Sequence, residues 1–151
     1  MFLYLLLAYS IAPFMANFDA SIGKNETEIK YYDNGTHFIC IWKKIYLQDQ
    51  QEAGPFTFQV ILQNTGNIYF NYLQIPDVNV STVNHAHRLG ISDAYLTQHA
   101  TNEHIFRMIT LYDKINLDPQ KIRNGLSVLF EMDQSREIIH RLSSYDFLLF
   151  F

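Results

Sequence analysis

At 151 residues the chain has the length of one domain and can bury a substantial core. Hydrophobic residues make up 48% of it, and 12 Phe and 10 Tyr stand against 6 Gly and 4 Pro, a composition that excludes a disordered chain. The net charge of −4 excludes the basic surface that nucleic-acid binding requires. The sequence contains no run of like charges, so it does not predict a polybasic patch that binds membranes.

The N-terminal segment, residues 1–10, begins with the apolar run MFLYLLLAY. This run has the length of a signal-peptide core but lacks the charged start and the small-residue cleavage site of a signal peptide. A buried strand is an equally good interpretation, and both stay open. The C-terminal YDFLLFF is far shorter than the ~20 apolar residues that a membrane-spanning helix needs.

The first part of the chain predicts an edge strand and a hairpin. Ile11–Phe18 is strand-like, and Pro13 places its start at a sheet edge because proline has no N–H to donate. Glu28–Tyr32 and Phe38–Trp42 flank the turn residues Asp33-Asn34-Gly35 and form a predicted hairpin. Phe38–Trp42 is apolar on both faces, which predicts a central strand covered on both sides.

The chain has one cysteine, Cys40, so an internal disulfide is excluded. Apolar neighbours surround it in the sequence, which favours a small buried hydrophobic residue. A catalytic thiol is disfavoured, because no positive group beside it would stabilise a thiolate.

Strict alternation over Phe56–Gln63 predicts the second hairpin. One face carries Phe56, Phe58, Val60 and Leu62, and the other carries Thr57, Gln59, Ile61 and Gln63. Asn64-Thr65-Gly66-Asn67 then predicts a turn, because Gly and Asn tolerate positive φ. Ile68–Leu73 returns as the partner strand.

The last third of the chain predicts two strands and a helix. His104–Tyr112 is rich in β-branched and aromatic residues, and Gly125–Met132 alternates like the earlier strands. Gln134–Leu142 is predicted to be helical from the spacing of Ile138, Ile139 and Leu142. The fold class is therefore mainly β, an antiparallel β-sandwich with a short helical C-terminal segment.

Three Asn-x-Ser/Thr sequons begin at Asn25, Asn34 and Asn79. Each lies in or beside a predicted turn, where a glycan could stand in solvent. They predict N-glycosylation and exposure to the extracellular side. Asn34 is expected to be used least, because it sits in a tight Asn-Gly turn.

Histidines raise the alternative of a metal site. His85 and His87 would face one side of a strand, with Asp93 and His99 downstream. Zinc needs three or four converging ligands, and nothing in the sequence forces these residues together, which favours surface histidines in a polar loop. A calcium site is a lesser alternative, with three oxygen-bearing candidates in ordinary strand-end and turn positions: Asn17, Asp19 and Asp33.

Enzyme signatures are absent from the sequence. It contains no nucleophile elbow, P-loop, dinucleotide-binding glycine run or zinc-protease helix motif. We therefore expect a non-catalytic protein that needs no cofactor.

Several short motifs occur along the chain. In the stretch Ile11–Asp19 a Pro-aromatic pair leads into an Ala-x-x-Asp segment, which resembles the opening motif of nidogen-like domains. Trp42, then Phe56–Leu62, and then the alternating Gly66-x-Ile68-x-Phe70-x-Tyr72 continue the resemblance. It implies a nidogen-like β domain over residues 11–133, followed by a divergent tail over residues 134–151.

Five further stretches matter here: Tyr32–Thr36, Leu47–Asp49, Ile75-Pro76, Asn84-His85 and Gly90–Tyr95. They resemble the plexin-domain-containing proteins, also called tumour endothelial marker proteins, and the resemblance runs from Ile11 to Met132. It implies a single-pass cell-surface glycoprotein, a receptor or adhesion molecule that binds extracellular matrix or a secreted protein. The resemblance assigns no catalytic residue to this chain.

The resemblance also implies a cysteine-rich plexin repeat and a membrane helix, which this sequence lacks after Gln134. We therefore expect a fragment of a protein on the extracellular face of the membrane, or a secreted protein if the chain is complete. The alternative function is a metal-binding or lectin-like β-sandwich, possibly hydrolytic, that uses His85, His87 and Asp93.

Overall fold

The computed structural model describes residues 10–83, 87–100, 105–132 and 138–144. Within these ranges the chain is mainly β, as the sequence predicts. The helical segments described there are 3-10 turns of three residues each, at Lys24–Glu26, Gln51–Ala53 and Pro119–Lys121. None of the helices in the described ranges has the length or the apolar character to cross a membrane.

The strands are numbered in chain order. They are β1 Ser10–Met15, β2 Phe18–Asp19, β3 Glu28–Asp33, β4 His37–Leu47, β5 Phe56–Gln63, β6 Ile68–Gln74, β7 Arg88–Ala100, β8 Ile105–Asn116, β9 Leu126–Met132 and β10 Ile138–Ser144. A three-stranded sheet has the order β1-β7-β8, and a seven-stranded sheet has the order β10-β9-β6-β5-β4-β2. Strand β3 also pairs with β4, and every pairing is antiparallel.

Both predicted hairpins are confirmed. Strands β3 and β4 pair up to Asp33 opposite Phe38, and β5 and β6 pair up to Leu62 opposite Ile68. The strands predicted near His104–Tyr112 and Gly125–Met132 are confirmed as β8 and β9, although His104 itself lies outside the described residues.

One face of the seven-stranded sheet, here called the inner face, forms the core. Alternate residues of β5, β6 and β9 lie directly opposite one another on it and are fully or almost fully buried: Phe58, Val60, Phe70, Tyr72, Leu126, Val128 and Phe130. Burying an aromatic or aliphatic side chain of this size contributes roughly 1.5–3 kcal/mol. This face is therefore the main source of stability.

The edge strand β1 packs across this core. The ring of Phe14 lies 5.3 Å from that of Phe56 and 5.8 Å from that of Phe58, between ring centroids. The hydroxyl of Tyr72 donates a 2.7 Å hydrogen bond to the carbonyl oxygen of Pro13. Strand β1 is an edge strand, as Pro13 predicts. These contacts hold the two sheets together in a sandwich-like packing.

Gly90 lies where β7 is flanked by both of its neighbours. It pairs with Ala12 of β1 and with Asn116 of β8, and its φ is +133°, a conformation that side-chain-bearing residues rarely adopt. A Cβ atom at this position would lie 1.9 Å from the carbonyl oxygen of Ile115. The close approach of β7 and β8 therefore requires glycine.

The second face of β5 differs from the polar face that the sequence predicts. We call this side of the sheet the outer face. Thr57, Gln59 and Ile61 are 9%, 3% and 7% exposed, so the outer face of β5 is buried as well. The hydroxyl of Thr57 accepts a 3.1 Å hydrogen bond from the backbone N–H of Lys44 at a bulge in β4. Thr57 thus supports the backbone of its neighbouring strand.

The helix predicted over Gln134–Leu142 is wrong for the part that the structure describes. Ile138–Ser144 forms strand β10 and pairs with β9, with Ile138 opposite Met132 and Leu142 opposite Val128. The edge of β9 that does not face β6 offers backbone N–H and carbonyl groups for pairing. This pairing outweighs the weak helix preference indicated by the spacing of Ile138, Ile139 and Leu142.

The prediction for Phe38–Trp42 is only partly right. The segment is central, because it pairs with β3 on one side and β5 on the other. It is not covered on both faces: Phe38 is 37% exposed, and Cys40 and Trp42 are half-buried. Trp42 stacks on Phe58 in the core, whereas Phe38 lies near the turn and stacks on the exposed Tyr31.

Candidate ligand-binding groove

A groove of about 840 Å³ lies along the outer face of the β3–β4 hairpin. Its volume falls within the range of about 300–1,000 Å³ that is typical of ligand pockets. The hairpin turn closes one end, where Gly35 has a φ of +83° and donates its N–H to Oδ1 of Asp33 at 2.8 Å. The sequence builds this turn because glycine tolerates positive φ and Asp caps its own turn.

The floor of the groove is apolar. Ile39 and Ile41 of β4 line it and are half-buried, and the buried Gln59 of β5 lines it beside them. Antiparallel register places Lys30 and Gln59 on either side of Ile41, and Tyr32 directly beside Ile39. Residues directly opposite each other share a face, so three strands contribute to one surface.

Two tyrosines of β3 border the groove and are exposed. Tyr31 is 78% and Tyr32 is 61% accessible. Successive residues of a strand point to opposite faces, so Tyr32 lies on the outer face beside Ile39, and Tyr31 stacks on Phe38 with ring centroids 6.1 Å apart. Tyrosine is enriched in binding surfaces because it combines apolar area with a polar tip.

Charged side chains line the end of the groove away from the turn. One carboxylate oxygen of Glu28 lies 3.0 Å from Nζ of Lys30, and the other lies 3.1 Å from Nζ of Lys43. The hydrogen bonds from Lys30 and Lys43, together with their charges, lower the pKa of Glu28. Two lysines against one glutamate leave this end with a net positive charge, which favours an acidic ligand group.

A chain of hydrogen bonds organises the turn end of the groove. Nε2 of Gln63 lies 3.0 Å from Nε2 of His37. The amide NH₂ can only donate, so a neutral His37 carries its proton on Nδ1, which lies 2.9 Å from Oγ1 of Thr36. The Thr36 hydroxyl in turn donates to Oδ1 of Asn34 at 2.8 Å. The side chains at this end are held in a defined arrangement.

The three sequon asparagines, Asn25, Asn34 and Asn79, are all exposed. Asn79 lies in a segment that Gln50 fixes from both sides: its Nε2 donates to the carbonyl oxygen of Asn79 at 3.0 Å, and its Oε1 accepts from the N–H of Ser81 at 2.8 Å. Exposure is the physical condition for carrying a glycan. Glycosylation itself stays a prediction.

His87 does not lie on the surface as expected. Its ring is half-buried with its centroid 5.0 Å from that of Phe14, and its Nε2 is buried without a hydrogen-bond partner. Burial lowers the pKa of this histidine. His85 lies outside the described residues, as do the side chains of Asp93 and His99. In the part of the chain that is described, no three His, Cys, Asp or Glu side chains are placed to hold a metal ion.

The calcium candidates have local roles in turns. Oδ1 of Asp19 accepts hydrogen bonds from the N–H and the hydroxyl of Ser21 at 2.8 and 2.7 Å, which lower the pKa of Asp19. Asp33 caps the β3–β4 turn, and the carbonyl oxygen of Asn17 accepts from the N–H of Gln48 at 2.8 Å. These residues stabilise the backbone around them.

Cys40 lies on the inner face opposite Val60 and packs against the core. Burial raises the pKa of its thiol. A thiol with a raised pKa is a poor nucleophile at neutral pH, so the interpretation of Cys40 as a small hydrophobic residue agrees with its surroundings.

The sequence matches no protein-family model, and no solved structure matches it. Sequence reasoning missed this groove, although consecutive tyrosines in the charged strand Glu28–Asp33 were a usable signal, because aromatic residues on an edge strand have little core to enter.

Proposed function

We propose that this chain is the extracellular, non-catalytic part of a cell-surface glycoprotein that binds extracellular matrix or a secreted protein. The groove on the β3–β4 hairpin is its ligand-binding site. The observation that carries the proposal is the combination, on one open face, of an apolar floor, the exposed side chain of Tyr32 and a positively charged end.

The groove fits an extended segment of a protein ligand. An apolar side chain of the ligand would lie over Ile41, with the ring of Tyr32 at its edge. An acidic residue further along the ligand would lie near Lys30 and Lys43. Aromatic residues with exposed area supply most of the energy in such contacts, and charges set the orientation.

Three of the described carboxylates have structural partners. Asp19 and Asp33 cap turns, and Glu28 is held between two lysines. The pKa values of Asp19 and Glu28 are lowered, and a carboxylate with a lowered pKa is a poor general acid near neutral pH. For the alternative of a metal-dependent or lectin-like site at His85, His87 and Asp93, the structure describes only the side chain of His87, and its ring packs against Phe14.

Membership of the nidogen-like and plexin-domain-containing families belongs to the same proposal. It rests on the order and spacing of the motifs between Ile11 and Met132. Three exposed sequons support the glycoprotein part. The steric need for glycine at Gly90 gives a physical reason for the first residue of the motif Gly90–Tyr95.

A binding experiment tests the proposal. The full chain, expressed through a secretory pathway, is measured by surface plasmon resonance against purified collagens, laminin and fibronectin. We expect saturable binding to at least one of them, weakened about tenfold by Tyr32→Ala and unchanged by Gln120→Ala, a remote exposed position. Absence of saturable binding, equal affinities for the two variants, or binding only to isolated glycans would contradict the proposal.

A further inference from the structure

The sequon at Asn34 is built into the wall of the groove. Asn34 and Thr36 both line the groove, as does Tyr32, which lies two residues before the sequon. The other two sequons have no aromatic residue at that position, where Gly23 precedes Asn25 and Asp77 precedes Asn79. Of the three glycan sites, Asn34 alone has an exposed aromatic ring two residues before it on the same groove.

The side-chain amide of Asn34 has a fixed orientation. Its Oδ1 accepts three hydrogen bonds, from the N–H of Thr36 at 3.0 Å, the hydroxyl of Thr36 at 2.8 Å and the N–H of His37 at 2.8 Å. The oxygen therefore faces the turn, and Nδ2, on the opposite side of the amide carbon, faces away from it. A sugar on Nδ2 leaves all three hydrogen bonds intact, because each of them uses the oxygen.

We propose that the glycan carried by Asn34 folds onto the groove, with its innermost sugar packed on the ring of Tyr32 and over the turn end beside Ile39. This inference rests on the proposed function, because glycan attachment requires passage through a secretory pathway. There, the donor is an oligosaccharide on a lipid diphosphate. A bond forms between Nδ2 and C1 of the sugar as the C1–O bond to the diphosphate breaks and the amide loses a proton.

The chemistry of the turn end suits a sugar. The C–H face of a pyranose packs on an aromatic ring, and Tyr32 offers an exposed ring at the strand position paired with Ile39. The sugar hydroxyl groups have Thr36 and His37 as polar neighbours along the same wall. The charged end around Lys30 and Lys43 stays open. The glycan thus narrows the groove from one end and limits which ligands enter it.

A semisynthetic protein tests the contact without depending on cellular glycosylation. A synthetic segment of residues 1–39 carries one N-acetylglucosamine on Nδ2 of Asn34, so the natural amide linkage is kept. Its C-terminal thioester is joined to the thiol and amine of Cys40 at the start of the remaining chain, which gives the full-length protein with a native peptide bond. The matched control carries the sugar at Asn25. Methyl-labelled isoleucine and labelled tyrosine report on the groove by nuclear magnetic resonance.

We expect nuclear Overhauser contacts from the position-34 sugar to Ile39 and Tyr32, and none from the position-25 sugar. Signals of Ile39 and Tyr32 that are the same with and without the sugar at position 34 would overturn the inference and leave the proposed function standing. A secreted protein without glycans would contradict the proposed function, whereas the semisynthetic protein would still test the contact between the sugar and Tyr32.

Secretory protein trimmed to one sugar per site provides a second measurement if the ligated protein does not fold. Asn34→Gln removes the turn hydrogen bonds of Asn34 whichever residue stands at position 32. It is expected to lower the melting temperature about 2–4 °C more in protein with Tyr32 than in a Tyr32→Ser background, and this excess measures the contact between sugar and ring. The same difference in both backgrounds would overturn the inference, because the glycan would then act without the ring.

Discussion

The hydroxyl of Tyr72 on β6 donates a 2.7 Å hydrogen bond to the carbonyl oxygen of Pro13 on β1, and thereby joins the two sheets. Tyr72 has no solvent-exposed surface, and its burial raises the pKa of the phenol. Pro13 is buried as well, so its carbonyl oxygen has no water to replace a lost partner. A buried polar pair of this kind stabilises the fold mainly because leaving one member unpaired is costly.

Tyr72→Phe is therefore expected to lower the free energy of unfolding by about 1–3 kcal/mol, since it keeps the ring and removes only the hydroxyl. Urea denaturation followed by fluorescence measures the change. Tyr69→Phe is the control, because Tyr69 is a half-buried tyrosine on the outer face of the same strand. Equal denaturation midpoints for the two variants would show that the hydrogen bond to Pro13 contributes nothing.

Thr57→Ala is expected to cost about 1–3 kcal/mol, because it leaves the N–H of Lys44 without its acceptor at the bulge. Thr57→Ser keeps the hydroxyl and should cost less. Phe58→Ala, the neighbouring core truncation, should cost ~3–5 kcal/mol. Chemical denaturation of the three variants gives the order. A Thr57→Ala variant as stable as the original protein would mean that the bulge does not depend on this hydroxyl.

Gly90→Ala is expected to destabilise the protein by more than about 2 kcal/mol, because the new Cβ meets the backbone oxygen of Ile115 at a positive φ. Gly125→Ala is the matched control. Gly125 also has a positive φ, +78°, but a Cβ there has open space around it, so only the backbone cost of about 1–2 kcal/mol applies. The two variants are compared by thermal unfolding. Equal losses of unfolding free energy would contradict the close approach of β7 and β8.

The pH dependence of stability should include a contribution from His87. Burial lowers the pKa of His87 in the folded protein below its ordinary value of about 6.5, so the folded state favours the neutral ring. The contribution of the neutral ring to the free energy of unfolding is fully present when the pH is above the pKa of His87 in the unfolded chain. It is lost as the pH falls through the pKa of His87 in the folded protein.

Replacing His87 by Phe, which keeps a ring against Phe14, should flatten the fall in unfolding free energy between about pH 7 and pH 5. Urea denaturation of both proteins across this range measures it. Parallel curves for the two proteins would assign the acid sensitivity to other groups.

The sequence predicts the hairpins well because their signals are local. Alternation over Phe56–Gln63 and the turn Asp33-Asn34-Gly35 are each contained in a few consecutive residues, and both recur in the structure. The strand β10 was missed because its conformation depends on pairing with β9, which lies elsewhere in the sequence. Ile138, Ile139 and Leu142 have a spacing that a helix and a strand can both use, and only the free edge of β9 distinguishes the two.

Local patterns gave one signal of the candidate groove, the consecutive tyrosines of β3, but not its location or its lining. It depends on three strands whose residues come together through register, such as Ile41 beside both Lys30 and Gln59. The buried state of Gln59 has the same origin, since alternation alone assigns it to a polar face. The sequons, in contrast, were visible as short motifs, and their exposure follows from their turns.

The central claim is that the groove on the β3–β4 hairpin binds an extracellular protein ligand. The most direct measurement compares two charge reversals for binding to the matrix protein that the unmodified chain recognises. Lys30→Glu places a negative charge at the positive end of the groove, and Lys121→Glu makes the same change at a remote exposed site. We predict that Lys30→Glu raises Kd about tenfold or more at low salt and that Lys121→Glu leaves it unchanged. Equal Kd values for the two variants would contradict the account.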